Sequence, residues 1–592
     1  MDLNARRLSY FVVPLVVAFT AAPAPAFAAG PPQGTQTNDA YAASYAAAGV
    51  TNTFATTQKS SCYTPEVPYA TSDGPTNGYT GESACGTANT GEDVGPYATQ
   101  QGSRPGFPAT TPMQVKDHSE SDIRVDPHNP LHLIGSSKWF VSAEGYNHVL
   151  GFYESFDGGQ TWPSQGHIPG YEGWTDNTDP VGAFDGFGNF YEFLLPYQFS
   201  YDANGHHDFN IGGLPNPGLP SEVVSVAVMP PHAAKTTAKW ISTHGGAPDI
   251  IASYQSVGGA PDKQWLTIDN NPASPNYNTI YAMWVVFDGP FGSKPFVSTA
   301  KALADGTHTD WSAPQKLPTL TGTSADTYLL PHVDPAGTVW TSVTHFPSTM
   351  QRSTYILAVD FSTDGGATWQ GPLQASGSII QSPARYPNTT YRSGIADSFA
   401  VGNHLSKQGR YPLYIAYEDF SAGVANEMLT ASYDGGQNWT TAIMVNDNAA
   451  PAQEHQGNLA VAASGTVMVN FYDRRLPCPS AGTAEAAAAG LALEATPPYG
   501  AADYCVNASM QFYTPALAPI GHNIRISQHA FDPQLNAPHS GCATCVTTFI
   551  GDYFGNTSTG STNFSTFVST FNDAAGNPAH YQQQVVATLS VP

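Results

Sequence analysis

One eight-residue pattern occurs three times, as SFDGGQTW at 155–162, STDGGATW at 362–369 and SYDGGQNW at 432–439. Each copy follows an apolar run, at 149–153, 355–359 and 427–431. The Asp-Gly-Gly core offers positions free to take positive φ and a carboxylate that can accept from the turn's own N–H groups, which describes a β-hairpin tip. The tryptophan that follows then folds back against the apolar layer beside the turn. A fixed motif recurring behind strands predicts successive similar sheets, with corners at Asp157 and Trp162, Asp364 and Trp369, and Asp434 and Trp439.

A second repeat supports this. A short apolar strand, often ending in aspartate, starts at 123–126, 181–185, 266–269, 331–334, 398–401, 459–462 and 549–552. A second apolar and aromatic strand follows each, at 131–140, 189–194, 279–287, 338–346, 413–420, 466–472 and 564–571. Inner strand, middle strand and hairpin corner, in that order, are what radial blades require. Charged residues make up only 11% of the chain while glycine and proline number 56 and 49, which fits a loop-rich all-β protein and excludes a helical one. The expectation is a single β-propeller of seven blades over 116–592, closed by strands from both termini. A ring of six remains open if the short last unit, ending at 581–589, is the outer part of a sixth blade. Residues 29–115 show no sustained apolar period and read as an irregular N-terminal extension. An alanine-rich excursion at 479–504 interrupts the sixth unit and has helix-forming composition.

Arg6 and Arg7, the apolar stretch 11–19 and Ala26-Phe27-Ala28 have the three parts of a secretory signal peptide over 1–28; a twin-arginine export signal is the other reading of the same residues. No later stretch approaches the roughly 18 apolar residues of a membrane span. A secreted or periplasmic chain keeps disulfides, and proximity pairs its six cysteines as Cys62 with Cys85, Cys478 with Cys505, and Cys542 with Cys545. The net charge of −25 argues against nucleic acid and anionic membranes as partners. Neither a metal nor a cofactor is called for: Cys542 and Cys545 lack a second ligand pair, and no calcium-loop spacing is present. A monomer is expected.

The triple motif resembles the Asp-box, or bacterial neuraminidase repeat, of the sialidase-like β-propellers. The resemblance spans nearly all of 117–575 and rests also on the blocks 179–185, 262–266, 471–475 and 549–553. It implies that the boxes sit on the outer rim and that chemistry belongs to the inner strands and the loops next to them. Sialidases, which have six blades, grip the substrate carboxylate with three arginines and use a tyrosine activated by a glutamate as nucleophile, with an aspartate as acid/base. Carried over by position, Arg124, Arg392 and Arg475 are the candidate clamps. Tyr553 is the candidate nucleophile, with Glu418 or Glu120 as its partner and Asp122 or Asp179 as proton donor. The strand holding Arg124 lacks the family's Phe/Tyr-Arg-Ile-Pro motif. Arg474 and Arg475 equally suit a structural pairing with Asp473 or a carboxylate of the next blade. His332 and His455 are placed either as pocket bases or metal ligands, or as hydrogen-bonded histidines of a crowded channel. The resemblance implies a secreted glycoside hydrolase of the exo-α-sialidase type acting on an acidic glycan. A polysaccharide lyase on the same fold and a non-catalytic propeller that binds glycan or protein are the alternatives.

Overall fold

The computed structural model describes residues 118–592 apart from 141–147, 169–175, 198–221, 235, 237, 255–258, 289–291, 323–324, 348–352, 393–396, 495, 536–548, 572–579 and 581, together with short N-terminal strands that include Thr56–Lys59. Seven antiparallel sheets of four strands are present, one of them with an added short strand, Ile379–Ile380. Their innermost strands are His118–Asp126, Asp176–Phe184, Ala260–Ile268, Ala325–Val333, Ser398–Val401, Glu454–Val461 and Gly555–Ser558. Each neighbours the next, and the seventh returns to the first, so the sheets are seven blades around one axis. The outermost strand of blade 7 is Thr56–Lys59, paired antiparallel with Gln583–Ser590. Strands from both ends of the chain therefore close the ring, and the expected seven-bladed all-β propeller is what forms.

In an antiparallel meander the connections alternate between faces. Inner-to-second and third-to-fourth turns lie on one face; second-to-third connections and the links between blades lie on the other. All three Asp-boxes are third-to-fourth turns, so they lie on the face opposite to the one where the inner strands begin. Their bonding is near-identical. In the first, Ser155 Oγ donates to Asp157 Oδ1 and accepts from Gly159 N, while Asp157 accepts from Thr161 N and Oγ1. Asp364 with Thr368, and Asp434 with Asn438, repeat it. The second glycine of each box has φ of 81°, 86° and 83° and presses on the preceding blade. A Cβ on Gly159 would meet Phe564, on Gly366 Thr299 at 2.8 Å, and on Gly436 Leu373 at 3.0 Å. The boxes thus seal the seams between blades 7 and 1, 3 and 4, and 4 and 5.

Middle and third strands fall close to where periodicity predicts them. Five inner strands begin earlier than predicted, as at His118–Asp126 against 123–126, while the fifth, Ser398–Val401, lies where it is predicted. The seventh differs more, because 549–552 is an irregular approach and the strand is Gly555–Ser558. The alanine-rich excursion holds a short helix, Ala484–Ala488, between the second and third strands of blade 6, with the Cys478–Cys505 disulfide at its base. Residues 1–28, Cys62, Cys85, Cys542 and Cys545 lie outside the described residues. No helix among the described residues is long and apolar enough to cross a membrane.

Candidate active site

Five inner strands share one irregularity near their starts. The register with the second strand slips between Ser119 and Asp122, Thr178 and Val181, Asp262 and Trp265, Thr327 and Leu330, and His455 and Asn458. Inside each slip stands a non-glycine residue in the left-handed region: Glu120, Asp179, Lys263, Tyr328 and Gln456, with φ between 49° and 58°. Gly551, at φ 105°, approaches Glu120 so closely that a Cβ would lie 2.5 Å from its N. A β-bulge redirects the side chain it carries, and each left-handed non-glycine residue costs on the order of 1 kcal/mol or more. Repeated at one level of the ring, the bulges turn polar side chains toward the axis.

The side chains gathered there form a charged cluster. Lys138, buried on the second strand of blade 1, lies 2.8 Å from Glu120 Oε2 and 2.8 Å from Asp179 Oδ1. Tyr553 donates to Asp179 Oδ2 at 3.1 Å and meets Trp265 edge to face. Asp262 is half-buried and hydrogen-bonded to Asp179. Lys263 Nζ and Arg392 Nη2 each end 2.6 Å from Asp552 Oδ2. Arg392 also stacks on Phe549, with 4.5 Å to the ring centroid, and Lys263 lies over Tyr328.

These contacts drive the carboxyls apart. Burial, reinforced by Asp179, pushes Glu120 up to about 8 despite Lys138. Burial disfavours the charge on Asp179 too, but Lys138 and Lys263 outweigh it and hold the group well below the usual carboxylate range. Asp262 is pushed up to about 6 by burial and by Asp179, against the pull of Lys263. Arg392 and Lys263 overcome burial at Asp552 and hold it low. The Tyr553 phenol is raised by burial and by the neighbouring Asp179 and Glu120, so it stays a donor. At neutral pH the centre therefore holds ionised Asp179 and Asp552 beside protonated Glu120. Opposed ionisation in one cluster is the pattern expected of acid and base roles.

Of the residues singled out in the sequence, Tyr553, Arg392, Glu120 and Asp179 meet in this cluster. Asp122 and Arg124 pair with each other at 2.9 Å just beyond the first bulge. Asp122 also accepts from Gly182 N, and Arg124 Nε donates to Gly182 O, which stitches blade 1 to blade 2. Glu418 lies in the seam of blades 5 and 6, accepting from Ser382, Tyr386 and Gln456 N, and burial lifts it to about 7. Gln456, whose N donates to Glu418 and whose side chain donates to Gly551 O, links it to the segment that carries Tyr553. Arg475 is buried beside Asp473, Asp447 and Asn523 in the outer part of blade 6, matching the structural pairing weighed above and standing away from the cluster. Arg474 is buried and donates to Pro387 O. His455 is buried and hydrogen-bonded to Tyr391, and His332 stands against Phe399. Among the described residues no group of three or more His, Cys, Asp and Glu is disposed to hold a metal ion.

Lys138, Asp262, Lys263, Tyr328 and Asp552 were not singled out as site residues by the sequence. The usable signal was a polar residue just ahead of the apolar part of each inner strand, as in Ser119-Glu120-Ser121 and Asp262-Lys263-Gln264.

No known family matches the chain by sequence, and no curated protein does. Among solved structures it is similar to a point mutant of the NanB sialidase from Streptococcus pneumoniae, at 10% identity over 89% of this chain and 70% of that one, with a TM-score of 0.34. A Penicillium chrysogenum alpha-L-arabinanase is similar at 11% identity over 70% of this chain and 93% of that one, with a TM-score of 0.35. The polysaccharide lyase Uly1 is similar at 11% identity over 85% and 97%, with a TM-score of 0.39.

Proposed function

We propose that the chain is a glycan-active enzyme, a glycoside hydrolase whose chemistry sits at the ring axis. The observation that carries this reading is the contact between Asp179, held ionised by Lys138, and Asp262, held at about 6 and half-buried. Glycosidic cleavage asks for such a division: an acid to protonate the departing oxygen and an ionised carboxylate to meet the positive charge that develops on the sugar. Asp262 takes the first role, and Asp179, which touches it and so does not stand across the sugar from it, supplies negative charge from the same side. Tyr553 acts by donating to Asp179 and fixing its orientation, while Glu120 and Lys138 support Asp179 from behind. The half-buried rings of Trp265 and Tyr328 supply apolar surface for a pyranose or furanose ring. The Cys478–Cys505 disulfide supports an exported location.

An exo-α-sialidase-type mechanism, with Tyr553 itself as nucleophile, draws support from the 3.1 Å bond that would let Asp179 take its proton. The raised phenol argues for the donor role instead. A 2-fluoro glycosyl substrate separates the two readings: no sugar is expected to be trapped on Tyr553 when Asp179 acts through its charge alone, whereas a label on Tyr553 when the peptide is sequenced would establish the exo-α-sialidase type. Turnover itself is tested by incubating the full chain with chromogenic glycosides, where Asp179→Asn is expected to lose at least ~100-fold in kcat. Appearance of absorbance from an unsaturated uronate, with no hydrolysis, would replace this reading with a lyase.

A further inference from the structure

We propose that Tyr328 is a substrate-binding residue whose hydroxyl donates a hydrogen bond to an oxygen of the glycan held beside Asp262. The inference rests on the hydrolase reading above and adds to it a polar group that touches the substrate.

Exposure carries it first. Glu120, Lys138, Asp179, Asp552 and Tyr553 are buried, so none of them meets a ligand broadly. Asp262, Lys263, Trp265 and Tyr328 are half-buried, and the Arg392 side chain is one-third exposed. The side of the cluster open to a ligand is therefore the wall formed by Ala260–Ile268 and Ala325–Val333, the inner strands of blades 3 and 4, together with Arg392. Tyr328 belongs to this wall. Its ring centroid lies 5.4 Å from Lys263 Nζ, and the charges of Asp552 and Asp262 act on its phenol.

The second observation is a strained backbone that no bond inside the protein offsets. Tyr328 stands at φ 51°, a conformation poorly suited to a bulky side chain. At the other four bulges the side chain in the left-handed position makes a strong polar contact. Glu120 and Asp179 each lie 2.8 Å from Lys138, Lys263 lies 2.6 Å from Asp552, and Gln456 donates to Gly551 O at 2.6 Å. Tyr328 makes none: among the described residues its hydroxyl has no hydrogen-bond partner, and it is not enclosed. Trp265 Nε1, on the same wall, is likewise an open donor without a partner among the described residues. Strain of this kind persists where the aimed side chain serves a ligand. Burial outweighs the pull of Lys263 and raises the phenol, so it stays a donor. What an unused donor calls for is an acceptor, and the hydroxyl and ring oxygens of a sugar supply one.

Tyr328→Phe removes the hydroxyl and keeps the ring. In the full chain it is expected to leave the urea midpoint unchanged, since the hydroxyl bonds to nothing within the described protein. On whichever nitrophenyl pentoside, hexoside, glucuronide or sialoside wild type cleaves, it is expected to lower kcat/KM at least about 10-fold. A change under about 2-fold overturns the proposal and leaves the hydrolase reading intact. A lowered urea midpoint alongside the lost activity would show the hydroxyl to be structural and overturn it as well. If wild type cleaves nothing, the hydrolase reading falls, and native affinity gels cast with arabinan, xylan or alginate decide the claim about Tyr328. Weaker retardation of Tyr328→Phe than of wild type supports it; equal retardation, or none of either protein in any gel, sinks it.

Discussion

At the scale of single residues, the protonation of Asp262 sets a direction for activity. A general acid works while protonated, so kcat/KM is expected to be high below pH 6 and to fall as pH rises through about 6. Asp262→Asn should lose at least ~100-fold in rate and abolish this alkaline limb; a variant that keeps the limb would assign it elsewhere. Lys138 makes a different prediction. Its removal as Lys138→Met leaves buried Glu120 and Asp179 without their shared cation, expected to cost roughly 3–5 kcal/mol in urea unfolding. A loss under about 1 kcal/mol would mean that solvent reaches these carboxyls. Tyr553 and Arg392 were readable from the sequence because each stands beside a recognisable apolar segment. Lys138 was not, since a lysine inside the strand Asn129–Phe140 gives no hint that it faces a bulge on the neighbouring strand.

At the scale of elements, the Asp-box and the bulge behave oppositely toward sequence reading. The box is local: its aspartate, its glycines and its tryptophan lie within eight residues, so turn chemistry alone predicts it. The bulge depends on register against a partner strand, and alternation is lost at the very residues that matter, which is why inner strands were predicted several residues short. Asp122 shows the consequence, because one step past the bulge the side chain points into the seam of blades 1 and 2 and not toward Tyr553. The second box glycine yields an elemental prediction. Gly366→Ala and Gly436→Ala combine a left-handed φ with a close approach to the preceding blade. Each is expected to destabilise the protein by about 1–3 kcal/mol in chemical denaturation. Alanine at Gly423, equally left-handed but with nothing within 4 Å, should cost less; equal losses would show that seam packing contributes nothing.

At the scale of the whole molecule, buried carboxyls tilt stability toward mild acid. Burial raises Asp262 to about 6, Glu418 and Asp397 to about 7, and Glu120, Glu222 and Asp532 to about 8. An unfolded chain releases these protons near pH 4, so between there and pH 8 the folded state binds more of them and stability falls as pH rises. Asp179 and Asp552 act in the opposite sense: their contribution is present above about pH 4 and is lost as pH falls further. The expected optimum lies between about pH 4 and 5, with a melting temperature at pH 5 on the order of 5 °C above that at pH 8 by calorimetry. A higher value at pH 8 would mean that these groups ionise freely in the folded ring.

The pairing of Thr56–Lys59 with Gln583–Ser590 has a temporal consequence. A ribosome delivers the first of these strands long before the second, so no nascent chain can complete its circle until Gln583–Ser590 has been made.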